Sequence, residues 1–363
     1  MVKTCYNAKL KHLILNDNRV MTMSNLTIRD IARICNVSTS TVSRAINGES
    51  GINKETKKRI LQVIEENKFT PNNSARNLKM IESKAIAILV KGMSNPFFQE
   101  LIREMEKIKC KDYLFIPQAV RENENEVDVA AQLIVEKKLK GIIFLGGLVH
   151  PSKAAVSRIN IPYVRCTGAV IPGKKDWEGT SVAIDDEKES YRITDYLIHK
   201  GHKRIAMITT GDKDNSVGQL RIEGYKRALI DNGVACDPDL LRTMDPDIPE
   251  YSSENGYVTT RKLIESDTEF TALYVTSDLM TLGAYRAIQE SGKRIPEDYS
   301  VVGFDGIEMT KYFYPSLTTL RQPAAEMAQA AIDQLMKAIE GEETKNQMIF
   351  EGTLLERESV CSR

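Results

Sequence analysis

Leu26-Thr27-Ile28-Arg29-Asp30-Ile31-Ala32-Arg33-Ile34-Cys35-Asn36-Val37-Ser38-Thr39-Ser40-Thr41-Val42-Ser43-Arg44-Ala45-Ile46-Asn47 holds two helical periods with a break between them. Ile28, Ile31, Ala32 and Cys35 recur at i, i+3, i+4 and i+7, which puts them on one face of a helix from Thr27 to Ile34. Asn36-Val37 interrupts the period. Ser38 can accept from the free amides of a second helix, Thr39 to Ile46, whose inner face is Val42, Ala45 and Ile46. Gly48 is placed to stop it. Two short helices across so tight a turn make a helix-turn-helix.

The outer face of the second helix is polar: Thr39, Ser40, Thr41, Ser43, Arg44 and Asn47. Arg can take guanine O6 and N7 in the major groove, Asn can take adenine N6 and N7, and hydroxyls suit phosphates or base edges. From this face alone, a solvated surface stays open as the alternative. A third helix, Lys54 to Asn67, repeats the period through Ile60, Leu61, Val63 and Ile64, with Lys57, Lys58 and Arg59 either holding phosphates or facing water. Asn72 to Leu78 has room for one or two helical turns, well short of the roughly 12–15 residues an isolated helix needs in water. It is expected to order only against a partner, or else to be a linker.

Charge separates this head from the rest. Met1 to Met80 carries 14 Lys/Arg against 6 Asp/Glu, a net +8, whereas the whole chain of 363 residues is neutral, so the remainder carries −8. A basic module on an acidic body is the pattern expected when the module meets a polyanion. Composition is that of an ordinary globular protein, with 42% hydrophobic and 28% charged residues, and the length suggests two or three domains at roughly 150 residues each. No apolar run reaches the roughly 18 residues of a membrane span, and the N-terminus lacks a secretory apolar core, so a cytoplasmic protein without membrane contact is expected. Cys5, Cys35, Cys110, Cys166, Cys236 and Cys361 lie far apart without a C-x-x-C pair, which reads as isolated thiols with neither a disulfide framework nor a metal site.

From Lys84 the pattern changes. Ala85–Val90 is a continuous apolar run, as in a strand buried on both faces. Similar runs recur at Tyr113–Ile116, Gly141–Leu145, Tyr163–Cys166, Arg204–Ile208, Ala272–Val275 and Ser300–Phe304. Helical stretches lie between them at Phe97–Ile108, Glu124–Lys137, Lys188–His199, Gln219–Asn232, Gly256–Glu265 and Leu279–Ser291. Alternation of strand and helix predicts parallel α/β layers, here in two doubly wound halves divided near Ile184–Glu187. Ligands bind such sheets beyond the carboxyl ends of their strands. Asp305 follows one strand and Arg221 sits near the start of a helix; a carboxylate and a guanidinium suit the hydroxyls of a polyol. Phe97 and Phe98 follow the first strand, where a ring can cover an apolar sugar face. A salt bridge between the lobes with two core aromatics is the alternative.

The residues from Leu26 to Ala32, Asn36-Val37-Ser38, Thr41 to Asn47, and Pro71-Asn72 with Ala75 to Leu78 resemble the LacI/GalR family of bacterial transcriptional regulators. So do Leu197 to Ala206, Arg221 with Gly224-Tyr225, Thr276-Ser277-Asp278, Ile295 to Asp298, Ser300 to Asp305 and Pro315 to Thr319. The resemblance runs over about residues 24–358. It implies a three-helix DNA-binding head over 23–70, a hinge helix and linker over 71–83, and a two-lobed body like a periplasmic sugar-binding protein over 84–363. Lobe one would take about 84–186 and 321–349, and lobe two about 187–320 and 350–363. Thr39, Ser40 and Arg44 would face bases, with Thr41, Ser43 and Asn47 nearer the DNA backbone. Asn72 and Ala75 would lie in the hinge, and Leu78 would be an apolar wedge in the minor groove. Phe97, Phe98, Arg221, Ser277 and Asp305 would hold the effector. The partners implied are a double-stranded operator, a second copy of the chain and a small effector such as a sugar or sugar phosphate, with no cofactor.

Three departures stand out. Met1 to Thr22 precedes the usual start; an upstream mis-start, with Met21 or Met23 as initiator, is expected over a real basic tail. Thr167 stands where many relatives carry an acidic ligand contact. The loop Asp212 to Ser216 lacks the extra arginine of purine-responsive relatives, which argues against a nucleobase. An enzyme is disfavoured, because no G-x-G-x-x-G, P-loop or G-x-S-x-G motif appears and Gly146-Gly147 alone is weak. His199 and His202 have metal-like spacing without an identifiable further ligand, and Asp185-Asp186-Glu187 reads as a solvated crossover. A transport binding protein would want a secretory signal and no head. A regulator of the same architecture answering to a protein partner, of the catabolite-control type, is the runner-up.

Overall fold

A computed structural model describes residues 27–47, 52–67, 84–108, 110, 113–121, 123–147, 156–173, 179–211 and 216–363. The chain divides into two compact units, Met1–Ile81 and Glu82–Arg363.

Three helices make the described part of the first unit: α1 (Ile28–Ile34), α2 (Thr39–Asn47) and α3 (Lys54–Glu66). Thr27 and Asp30 start α1, the Thr27 amide and hydroxyl both donating to Asp30 Oδ2, at 3.0 and 2.6 Å. Asn36 turns the chain in the left-handed region, φ 48°, a conformation Asn tolerates better than most residues. Ser38 Oγ then accepts from the Thr41 amide at 3.2 Å and caps α2. Ile31, Ala32, Cys35, Val42, Ala45, Ile60 and Val63 are buried together as the head's small core. Arg59, left open above between phosphate and water, donates to the Cys35 carbonyl at 3.0 Å and so ties α3 to the end of α1. The hinge residues Asn72, Ala75 and Leu78, the segment Met1 to Thr22 and Gly48 lie outside the described residues.

The second unit contains two six-stranded sheets. In the first, β1 (Ala85–Lys91), β2 (Leu114–Val120), β3 (Gly141–Leu145), β4 (Tyr163–Cys166), β5 (Thr180–Ile184) and β11 (Gln347–Phe350) run in the order β11-β5-β4-β3-β1-β2. In the second, β6 (Ile205–Thr209), β7 (Leu241–Thr243), β8 (Ala272–Val275), β9 (Ser300–Asp305), β10 (Thr318–Arg321) and β12 (Thr353–Leu355) run β12-β10-β9-β8-β6-β7. All pairings are parallel except β10 with β12. Each sheet thus repeats one doubly wound order, with a switch point between its first and third strands.

The helices are α4 (Pro96–Lys107), α5 (Glu126–Lys137), α6 (Asp186–His199), α7 (Val217–Asp231), α8 (Ser253–Glu265), α9 (Asp278–Glu290) and α10 (Ala324–Glu340). The chain crosses between lobes three times: from β5 to α6, from β10 to α10, and from β11 to β12. One buried apolar cluster contains residues of both lobes, Ile86, Leu101 and Leu335 with Ile193, Met207 and Phe304 among them.

Several elements differ from the sequence reading. The second strand continues to Val120 through Pro117, which pairs with Ile88 of β1 on its one bonded side; β2 is an edge strand, where a missing N–H is tolerated. The helix expected from Glu124 begins at Glu126, behind its cap Asn125. Strand β5 was not anticipated. Its polar opening residues are buried because Thr180 Oγ1 donates to the Lys345 carbonyl and Ser181 Oγ accepts from Arg165.

Candidate functional site

On α2, Val42 and Ala45 point into the head's core, which turns the polar side chains outward. Thr39, Ser40 and Arg44 are exposed, and Thr41 and Ser43 are half-buried. Thr41 Oγ1 and Ser40 Oγ share hydrogens with Ser38 Oγ at 2.8 and 3.0 Å, so both hydroxyls are held by the cap. Asn47 ends the helix, and its side chain lies outside the described residues. This face carries hydrogen-bonding groups and one guanidinium on a packed three-helix base.

In the body, a cavity of about 580 Å³ opens between the lobes at the carboxyl ends of both sheets. Phe97, Phe98, Arg221, Ser277 and Asp305 all line it. Ends of strands β1, β3 and β4 deliver Lys91, Gly92, Gly146, Gly147 and Thr167, while β8 and β9 deliver Thr276, Ser277 and Asp305. Phe97 is 2% exposed and belongs mainly to the core. Phe98 is the half-buried ring, and it lies against Gly92 and Gly146, where a Cβ would meet it at 3.3 and 2.9 Å.

Arg221 is the anchor of lobe two. Its Nε and one terminal nitrogen donate to Asp186 Oδ1 at 2.9 and 2.8 Å, the other terminal nitrogen donates to the Thr276 carbonyl at 2.7 Å, and Phe304 lies beneath at 3.6 Å. Asp186 is therefore no part of a solvated crossover, as the sequence had suggested: it is buried, because it is the counter-ion of a buried guanidinium. Of that triplet, Asp185 caps α6 and Glu187 pairs with Arg227. Burial pushes Asp186 up, against the pull of Arg221, whose two short donations to Oδ1 favour the carboxylate. Burial is the largest single influence on Arg221 and works against its charge, and Asp186, Tyr274, Tyr251 and Asp305 together outweigh it.

Asp305 ends β9 with φ 116°, in a region where a side chain is strained. Thr167 (φ 68°) and Tyr251 (φ 56°) line the same cavity with the same strain, and such residues gather at ligand clamps. Asp305 Oδ1 accepts from Gln322 at 2.9 Å. Its Oδ2 and Ser277 Oγ are buried without a hydrogen-bond partner. Burial raises Asp305 to about 6, opposed first by Arg221 and then by the polar groups of Gln322, Asn95 and Ser277. Beneath it, Asp278 accepts from the Gly306 and Ile307 amides at 2.7 and 2.9 Å and from Thr319 at 2.7 Å, fixing the loop that carries Asp305. Burial and the nearby Asp305 push Asp278 well up.

Lobe one contributes two polar groups that the sequence reading passed over. Glu126, the first residue of α5, is buried 3.3 Å from Lys91 Nζ, and Asn95 caps α4 through the Phe97 amide. Both stand at the start of a helix that follows a strand, as Asp186 does, a position the sequence shows without showing what the side chain faces. Thr167, lacking the carboxylate common there, accepts from the Gly146 amide at 3.0 Å. Of the two histidines, His199 is exposed beside Asp195, while His202 is buried between Thr271 and the Cys361 carbonyl. No helix among the described residues is long and apolar enough to cross a membrane.

Residues 27–72 match the model of bacterial regulatory proteins of the lacI family, and residues 194–360 match that of a periplasmic binding protein-like domain. The chain is 35% identical to the HTH-type transcriptional regulator MalR of Clostridium butyricum over 337 residues, 92% of this chain and 99% of that one. It is 33% identical to the ribose operon repressor of Haemophilus influenzae over 343 residues, 93% of this chain and 99% of that one. A solved complex of the transcriptional regulator CelR with cellobiose aligns at a TM-score of 0.66 and 25% identity, covering 92% of this chain and 100% of that one. With a helix-turn-helix head, two parallel α/β lobes and relatives matched along nearly their whole length, this chain belongs to the LacI family of DNA-binding bacterial transcriptional regulators.

Proposed function

We propose that this chain represses carbohydrate-use genes as a homodimer on a near-palindromic operator, switched by a small sugar-like effector in the interlobe cavity. The observation that carries the effector reading is the union of Arg221, Ser277 and Asp305, buried and partly unsatisfied, with the Phe98 ring in one cavity of about 580 Å³. A pocket of this size with few convergent polar groups suits a small polar ligand. The names of MalR, the ribose operon repressor and the cellobiose complex of CelR support a sugar. On DNA, Thr39, Ser40 and Arg44 would read bases, with Thr41, Ser43 and Asn47 against phosphates. Asn72, Ala75 and Leu78 would order as a hinge helix, Leu78 wedging the minor groove. Domain limits of 23–70, 71–83 and 84–363 fit this division of labour. A ligand preferring one lobe arrangement by a few kcal/mol suffices to switch the hinge.

The test is fluorescence anisotropy on a duplex enriched from a random pool, at near-physiological salt, repeated with a panel of sugars. Tight palindrome-dependent binding that one sugar shifts is expected. Specific binding unmoved by every compound would favour the protein-partner alternative, and loss of sequence preference would reject base readout.

A further inference from the structure

We infer that the cavity accepts an uncharged sugar and excludes its phosphorylated form, an inference that rests on reading the cavity as the effector site. Helix starts surround the cavity, and the amino end of a helix ordinarily attracts anions. Here the chain has already supplied them. Helices α5, α6 and α9 begin with Glu126, Asp186 and Asp278, so three positive helix ends face carboxylates of the chain itself. Helices α4 and α7 have no acid in their first turn, but Asn95 and Ser216 accept from their leading amides.

The cations are equally committed. Among the described residues lining the cavity they are Lys91 and Arg221. Lys91 stands 3.3 Å from Glu126, and Arg221 gives two nitrogens to Asp186 and the third to Thr276. Neither pair leaves net positive charge. What remains unsatisfied is Asp305 Oδ2, an acceptor, together with the Ser277 hydroxyl, both more than nine-tenths buried and without partners. A carboxylate oxygen in that position asks for a donor. A sugar hydroxyl supplies one and can also accept from a remaining Arg221 N–H. A phosphate dianion has no hydrogen to give and brings like charge against Asp305, which a desolvated site disfavours strongly.

The experiment is calorimetry of the full-length protein at pH 7.5 with ribose, glucose, maltose and cellobiose, each beside its phosphate monoester. At least one neutral sugar should bind, with its monoester weaker by about 100-fold or more. A monoester that binds as tightly as its parent sugar, or tighter, overturns the inference and leaves the effector site standing. Binding by no compound of either kind overturns the effector-site reading, and the inference with it. The variants Asp305→Asn and Glu126→Gln locate the exclusion. Each should narrow the ratio between parent sugar and monoester, and a ratio unchanged in both would mean that the acids do not set it.

Discussion

The two faces on which function is proposed, the outer side of α2 and the floor of the cavity, place polar side chains in opposite circumstances. On α2, Arg44 and Thr39 stand in water and hold nothing inside the head together. At the cavity, Arg221 and Asp305, with Asp278 beneath, are buried and tied in turn to the Thr276 carbonyl, the Gln322 side chain and the Gly306 amide. A side chain of the first kind can change its target without consulting the fold. One of the second kind cannot, since a buried charge deprived of its partner costs far more than a surface contact. Recognition of DNA should therefore be separable from stability by mutation, and recognition of the effector should not.

The largest expected effect is at Arg221. Arg221→Met leaves Asp186 buried without its counter-ion and should destabilise the body by about 3–5 kcal/mol, read from denaturant midpoints. A stable variant that had lost only its effector response would break the contrast. Next comes Asp305. Its folded pKa of about 6 lies above the ordinary 3.8, so the native state holds that proton more tightly than the unfolded chain. Its stabilising contribution is full below about pH 4 and lost as pH rises through 6, about 2–3 kcal/mol in all. Asp305→Asn should flatten that part of the stability profile between pH 4 and 7, and a slope equal to the wild type's would refute the shift.

Ser38→Ala tests a polar residue of the head that does have an internal duty. Loss of the α2 cap should cost about 1 kcal/mol, seen in the thermal unfolding of the head. Smallest in stability is Arg44→Ala, expected within about 0.5 kcal/mol of wild type. Its binding to the preferred duplex should nevertheless fall more than its binding to random DNA, and equal losses on both would remove Arg44 from base readout.

The same contrast explains what was legible in the sequence. The head's core is local and periodic, so Ile31, Val42 and Ile60 mark three helices and the polar residues left over mark the outer face. Strands such as Gly141–Leu145 and Ala272–Val275 declare themselves because burial on both sides demands unbroken apolar runs. Strand β5 opens with Thr180 and Ser181, whose burial depends on Lys345 and Arg165 from distant segments, and no local pattern records that. Arg221 and Asp305 were readable as chemistry at strand ends and helix starts. The roles of Asp186 and Glu126 were not, because a carboxylate beginning a helix looks the same whether it faces water or a buried cation.

The threefold crossing between lobes also sets an order of assembly on the ribosome. Each sheet receives its sixth strand from the same short stretch, β11 at 347–350 and β12 at 353–355. Until that stretch emerges, β5 and β10 each keep an open edge, and neither lobe can close as synthesis passes through it. Such long-range pairings form late and leave apolar strands exposed meanwhile. The two halves of the body therefore reach completion together, when residues 347–355 pair with both sheets.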